Sequence, residues 1–238
     1  MTVAIAGAAS ASSTDNPSRL DAYLAAHDFD RPTLVIDVDR VETQYRALKA
    51  GLGSADIHYA VKANPAREVI ARLVKLGSHF DAASRGEIEL CVAQGVGTER
   101  VSFGNTIKKE KDIAWAYQQG VRLFAFDSEA ELQKLARVAP GARVFCRVLV
   151  DCGGAEWPLS KKFGCAPEMA KDRLRKAKTW GLDAYGISFH VGSQQTDLEQ
   201  WDKALGQVSQ MFFALAEEGV DLRMVNLGGG FPARYGGR

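Results

Sequence analysis

Seven short apolar runs recur after Ile57, and between them lie stretches with helical periodicity that mostly close on a glycine. This rhythm constrains the fold more than any other feature. The runs are Ile57 to Ala63, His79 to Ala83, Arg100 to Gly104, Val121 to Phe126, Arg143 to Val150, Ala184 to Val191 and Met224 to Leu227. The intervening helices are expected at Ala66 to Leu76, Arg85 to Gln94, Lys108 to Gln119, Ser128 to Val138, Pro167 to Trp180 and Asp197 to Glu218. Gly95, Gly120, Gly181 and Gly219 follow helices where a left-handed residue is wanted. Near-continuous apolar strands joined through helices mean parallel βα units covered on both faces. Ahead of the rhythm, a short helix (Leu20 to Ala26), a strand (Thr33 to Val38) and a helix (Asp39 to Leu52) are expected.

A closed (β/α)8 barrel needs eight strands and about 250 residues. The rhythm supplies seven strands. The expectation is an α/β chain of the TIM (β/α)8 type that lacks the last strand, as a piece of something longer. An open barrel and a doubly wound sheet are the alternatives. Residues 1–30 read as an Ala- and Ser-rich tail with a short helix, and 31–238 as the barrel domain. The tail has no basic n-region, since the first basic residue is Arg19, so it does not read as a signal peptide.

Several polar residues interrupt strand ends. Lys62 ends the first run in YAVKANP. A lysine there either snorkels to water or is an amine nucleophile able to condense with a carbonyl. Asp81 lies inside the second strand, beside Lys62 if the strands are neighbours. Glu87 falls in the next helix's first turn, where a carboxylate suits the helix N-terminus. Arg147 interrupts an apolar strand and must be paired, by a structural carboxylate or by a ligand. His190, in FHVGSQ, is either a core histidine or a ring at the strand mouth, with Ser193 close behind. Gly228, Gly229 and Gly230 are either a flexible turn or a nest of inward N–H groups for phosphate. Lys62, Asp81, His190 and Gly228 to Gly230 lie at or near the C-terminal ends of different strands, which in a parallel barrel share one mouth. Lysine, imidazole, carboxylate and phosphate nest together suit pyridoxal phosphate.

Charge narrows the partners. Thirty basic residues against 29 acidic give a net charge of +1, with no electrostatic case for nucleic acid or an anionic membrane. No apolar run reaches the roughly 20 residues that span a bilayer. Cys91, Cys146, Cys152 and Cys165 form no CxxC pair and no zinc pattern. They read as reduced thiols of a cytoplasmic protein, with Cys91 and Cys146 in the core. No metal site is expected.

Six motifs in order, YAVKANP, FDAASRGEIEL, VSFGNTIKK, GAEWPLSKKFG, SFHVGSQ and NLGGGFP, run from about Arg31 to Arg238. Together they resemble the fold type III pyridoxal-phosphate decarboxylases acting on ornithine, lysine, arginine or diaminopimelate, and within them the bacterial ornithine decarboxylases. The resemblance implies a barrel followed by a β domain, in a homodimer with shared active sites. It makes Lys62 the Schiff-base lysine and stacks His190 on the ring. Ser193, Gly229 and Gly230 would hold the phosphate, with Asp81, Glu87 and Arg147 near lysine and ring. The implied reaction moves the cofactor from Lys62 to L-ornithine, loses CO2 and yields putrescine. Lysine or dual specificity, a catalytically silent binding relative, and a racemase of the same fold type are the other readings. The family's Glu-Pro-Gly-Arg stretch and its later Cys and Asp do not occur in these 238 residues, and neither does its substrate-selecting segment.

Overall fold

The computed structural model describes residues 19–150, 155–157 and 162–233. The tail expected at the N-terminus, Cys152 and five of the eleven residues of GAEWPLSKKFG lie outside them. Seven strands form one all-parallel sheet: β1 (His58–Ala60), β2 (His79–Ala82), β3 (Val101–Phe103), β4 (Leu123–Phe126), β5 (Arg143–Arg147), β7 (Asp183–Ser188) and β9 (Met224–Asn226). They lie side by side in chain order. Among the described residues this is the architecture of a partial (β/α) barrel with the seven parallel strands that the rhythm implied. Two further strands, β6 (Ala155–Trp157) and β8 (Ser193–Gln195), pair antiparallel outside that sheet. Both belong to loops that leave C-terminal strand ends, so the ribbon joins the β5 and β7 loops at the mouth.

The helices are α1 (Arg19–Ala25), α2 (Val38–Leu52), α3 (Arg67–Lys75), α4 (Arg85–Ala93), α5 (Glu110–Gln118), α6 (Glu129–Val138), α7 (Pro167–Thr179) and α8 (Glu199–Glu217). Ser84 and Ser128 cap α4 and α6 by accepting the N–H of Glu87 and Glu131, as short hydroxyl side chains do at an N-cap. The strand faces divide the chemistry. Phe80, Ala82, Phe103, Phe124, Phe126, Val144 and Cys146 are buried and form the apolar outer face under the helices. Strand alternation sends Asp81, Ser102 and Arg147 to the opposite, inner face. No helix among the described residues is long and apolar enough to cross a membrane.

Two expected elements differ. Thr33 to Val38 forms no strand, because it has no ladder partner among the described residues and β1 pairs only with β2. Asp37 turns instead to cap α2, accepting the N–H groups of Asp39 and Arg40. The first run also ends early as a strand. Ala60 closes β1, and Val61–Ala63 forms a 3-10 turn carrying Lys62 just before Pro65, where the residue before proline is barred from helix.

Candidate active site

Lys62, Asp81, Arg147 and His190 form one electrostatic neighbourhood at the C-terminal strand ends: Lys62 and Arg147 act on both the Asp81 carboxyl and the His190 ring. Ala60 sits opposite Asp81 in the sheet, so the Lys62 turn follows directly above the carboxylate. Asp81 is held by Ser102, whose Oγ donates to Oδ1 at 2.7 Å. Gly104 gives that carboxylate its room: a Cβ there would stand 1.8 Å from Asp81 Oδ1. Burial raises the Asp81 carboxyl above its ordinary value, while the Ser102 hydrogen bond and the charges of Lys62 and Arg147 pull it back. Arg147 ends β5 opposite Ser188. Burial lowers its guanidinium, and Asp127 and Asp81 oppose that. Asp127 also accepts the Gly164 N–H at 2.9 Å, tying the β4 and β5 loops together.

His190 is half-buried beyond β7. Its Nδ1 accepts the Gly192 N–H at 2.9 Å, so the neutral ring carries its proton on Nε2. Burial, then the charges of Arg147 and Lys62, push its imidazole down to about 4. At neutral pH it is an uncharged flat ring with a fixed orientation.

The glycine triplet has three consecutive positive φ angles, 72, 87 and 89°. Added Cβ atoms would meet Phe189 O at 1.9 Å from Gly228 and Gly192 O at 2.2 Å from Gly230. Only glycine lets this turn press so closely on the His190 loop. Gly230 O also accepts the Gln195 N–H at 3.0 Å. The Gly228 N–H is already taken by Asn226 Oδ1 at 2.9 Å, whereas Gly229 faces open space. Ser193 stands at the start of β8, opposite Trp157. Glu87 lies at the head of α4, and its Oε2 accepts the Ala83 N–H at 2.7 Å. Its position serves the helix start while its charge reaches Asp81.

Sequence reasoning passed over Ser102, Gly104 and Asp127. A serine inside an apolar strand followed two residues later by glycine was the available signal, but VSFGN entered only as part of a motif.

The donor set fits pyridoxal phosphate part by part. An amine can meet the aldehyde, a flat neutral imidazole the pyridine ring, and an open glycine turn the phosphate. The family profile described as pyridoxal-dependent decarboxylase, pyridoxal binding domain, matches residues 38–238. The chain belongs to this family. It is 39% identical to the lysine/ornithine decarboxylase of Selenomonas ruminantium over 201 residues, 84% of this chain and 51% of that protein. It is 38% identical to the ornithine decarboxylase of Mus musculus over 194 residues, 82% of this chain and 42% of that one. Antizyme inhibitor 2 of Xenopus laevis is also 38% identical over 194 residues, again covering 82% and 42%. Among solved structures, the S. ruminantium lysine decarboxylase aligns with TM-score 0.84 and 38% identity, over 91% of this chain and 57% of that one. The chain spans about half the length of the curated relatives it matches.

Proposed function

We propose that the complete protein is a pyridoxal-phosphate-dependent decarboxylase of a basic amino acid, L-ornithine first and L-lysine as the alternative, working as a homodimer. The observation that carries this reading is the electrostatic grouping of Lys62, Asp81, Arg147 and His190 at the C-terminal strand ends, with the glycine turn pressed against the His190 loop. Relatives named for ornithine and for lysine/ornithine support the substrate class.

Each residue has a part the geometry allows. Lys62 would supply the amine that condenses with the cofactor's aldehyde. Asp81, fixed by Ser102, interacts electrostatically with Lys62, and burial makes its carboxyl easier to protonate. Arg147 places a cation on the same inner face. His190 presents an uncharged ring for stacking, and Gly229, Gly230 and Ser193 offer donors to phosphate. The bound cofactor supplies the electron sink for the bond pair released with CO2.

The test is release of labelled CO2 from carboxyl-labelled ornithine and lysine by the complete protein, wild type and Lys62→Ala. The reading requires turnover of at least one of the two and its loss in the variant. Wild-type protein that binds the cofactor yet releases no CO2 from either favours a second reading, a non-catalytic binding protein. The likeness to antizyme inhibitor 2, whose name is not that of a decarboxylase, keeps that reading in view.

A further inference from the structure

We propose that Cys146 and Cys165 are a built oxidisable dithiol, set in the outer layer behind the mouth, which a hydroperoxide converts to a disulfide. The placement follows from register. Val148 and Cys165 form a parallel bridge, with the Cys165 N–H donating to Arg147 O at 3.0 Å and its carbonyl accepting the Leu149 N–H at 2.9 Å. Cys146 lies two residues before Val148, so its side chain shares that face of the strand. The two sulfurs stand 3.6 Å apart. Both also lie against one carbonyl, Arg147 O, at 3.9 and 3.7 Å. Disulfide formation from here requires an approach of about 1.5 Å, to the usual S–S length near 2.05 Å.

The second observation is Arg173 on α7, the helix that covers this face. Its Nε and Nη1 are buried and have no hydrogen-bond partner. Buried N–H groups without partners are costly, and the Arg173 side chain both hydrogen-bonds Cys165 and lends it positive charge, so a thiolate is the anion it suits. The hydrogen bond from Cys146 and the charge of Arg173 hold Cys165 below the ordinary thiol value, while burial pushes Cys146 up. The pair therefore divides its roles as redox cysteines do: one thiolate attacks and one protonated thiol resolves. Cys165 keeps 6% of its surface and Cys146 none, so the peroxide meets Cys165 first. Cys91 makes the contrast. It is fully buried, and burial and then the Glu87 charge push its thiol up to about 12.

The chemistry balances. The Cys165 thiolate attacks one peroxide oxygen, the O–O bond breaks, and the released alkoxide or hydroxide takes a proton. The Cys146 sulfur then attacks the resulting sulfenic sulfur, and the hydroxyl group leaves as water with the Cys146 proton. Two thiols lose two electrons and two protons, and the hydroperoxide is reduced to an alcohol (water, for hydrogen peroxide) and water.

The experiment treats the reduced, desalted protein with hydrogen peroxide, quenches, unfolds it in alkylating reagent, and maps the cysteines by mass spectrometry. The expected result is a linked Cys146–Cys165 peptide, reversible by dithiothreitol, with Cys91 alkylated. Arg173→Gln is expected to slow linkage about tenfold near neutral pH, the effect of roughly one unit less thiolate stabilisation. Both cysteines fully alkylated after peroxide, Cys165 carried to sulfinic acid without linkage, or linkage only to another cysteine would each overturn the proposal. Linkage at the wild-type rate in Arg173→Gln would remove the guanidinium from it.

Discussion

Glu131→Gln tests the most deeply buried charge in the described structure. Lys108 is fully buried on its side chain, and Glu131 is 2% exposed. The Lys108 Nζ lies 2.9 Å from Glu131 Oε1, and donates to Asn105 O at 2.9 Å and Ala125 O at 2.5 Å. Burial lowers this ammonium to about 8, although Glu131 supports it. Glutamine keeps the shape and removes the countercharge. Breaking one side of a buried pair costs about 3–5 kcal/mol. Neutralisation caps that cost: the wild-type folded value is already about 8, so an orphaned lysine that goes neutral loses only about 1.4 kcal/mol per unit between 8 and the working pH, or about 1–2 kcal/mol at pH 7. The sign then follows. The folded value lies below the unfolded one, so between about pH 8 and 10.4 the unfolded chain holds more protons and this group's contribution rises with pH. By pH 9 the wild-type lysine has itself largely lost its proton, and the variant's deficit should nearly vanish. Lys134, 2.5 Å from Glu131 Oε2, keeps 23% of its side-chain surface and can turn to water. The assay is urea unfolding of wild type and Glu131→Gln at pH 7 and pH 9. A deficit under about 1 kcal/mol at pH 7, or one that does not change with pH, would refute the reasoning.

Gly104→Ala should cost about 1.5–3 kcal/mol, the worth of a hydrogen bond to a charged group, because the new methyl displaces Asp81 from Ser102; urea midpoints and weaker pyridoxal phosphate binding would register it. In the glycine turn, Gly229→Ala should cost only the left-handed backbone penalty of about 1–2 kcal/mol. Gly228→Ala and Gly230→Ala should cost clearly more, since their methyls run into backbone carbonyls; three melting curves compared side by side decide it. His58, held near 4 by burial and then by His79, binds more protons when unfolded between about pH 4 and 6.5. Its contribution is complete above 6.5 and drains as pH falls toward 4, by up to roughly 3 kcal/mol. His58→Phe should flatten the acid limb of stability against pH, and an unchanged limb would count against this assignment.

The sequence carried the sheet well because its signals are local. Apolar runs, Ser128 as a cap and glycines after helices each act within a few residues, and the seven parallel strands follow from them. What it hid is long-range. The β6–β8 ribbon pairs residues almost 40 positions apart in two loops, and no periodicity marks it. Thr33 to Val38 has strand composition but no neighbour to bond among the described residues. Lys108 sits in IKKEKD, a run that reads as a solvated face; only the placement of Glu131 on α6 shows it to be an internal charge. At the site, the parallel strand order puts Lys62, Asp81 and His190 at neighbouring strand ends, with Arg147 in the same electrostatic neighbourhood. The Lys62 turn, the Ser102 support and the space left by Gly104 depend on backbone detail that residue types do not reveal.

The central claim is that Lys62 is the residue that holds pyridoxal phosphate. Its most direct measurement is borohydride reduction of the protein loaded with pyridoxal phosphate, followed by peptide mapping of the retained pyridoxyl group. The account predicts one stoichiometric label on Lys62, and its disappearance along with the visible absorbance in Lys62→Ala. A label on another lysine, Lys108 included, or a visible band that survives Lys62→Ala would contradict it.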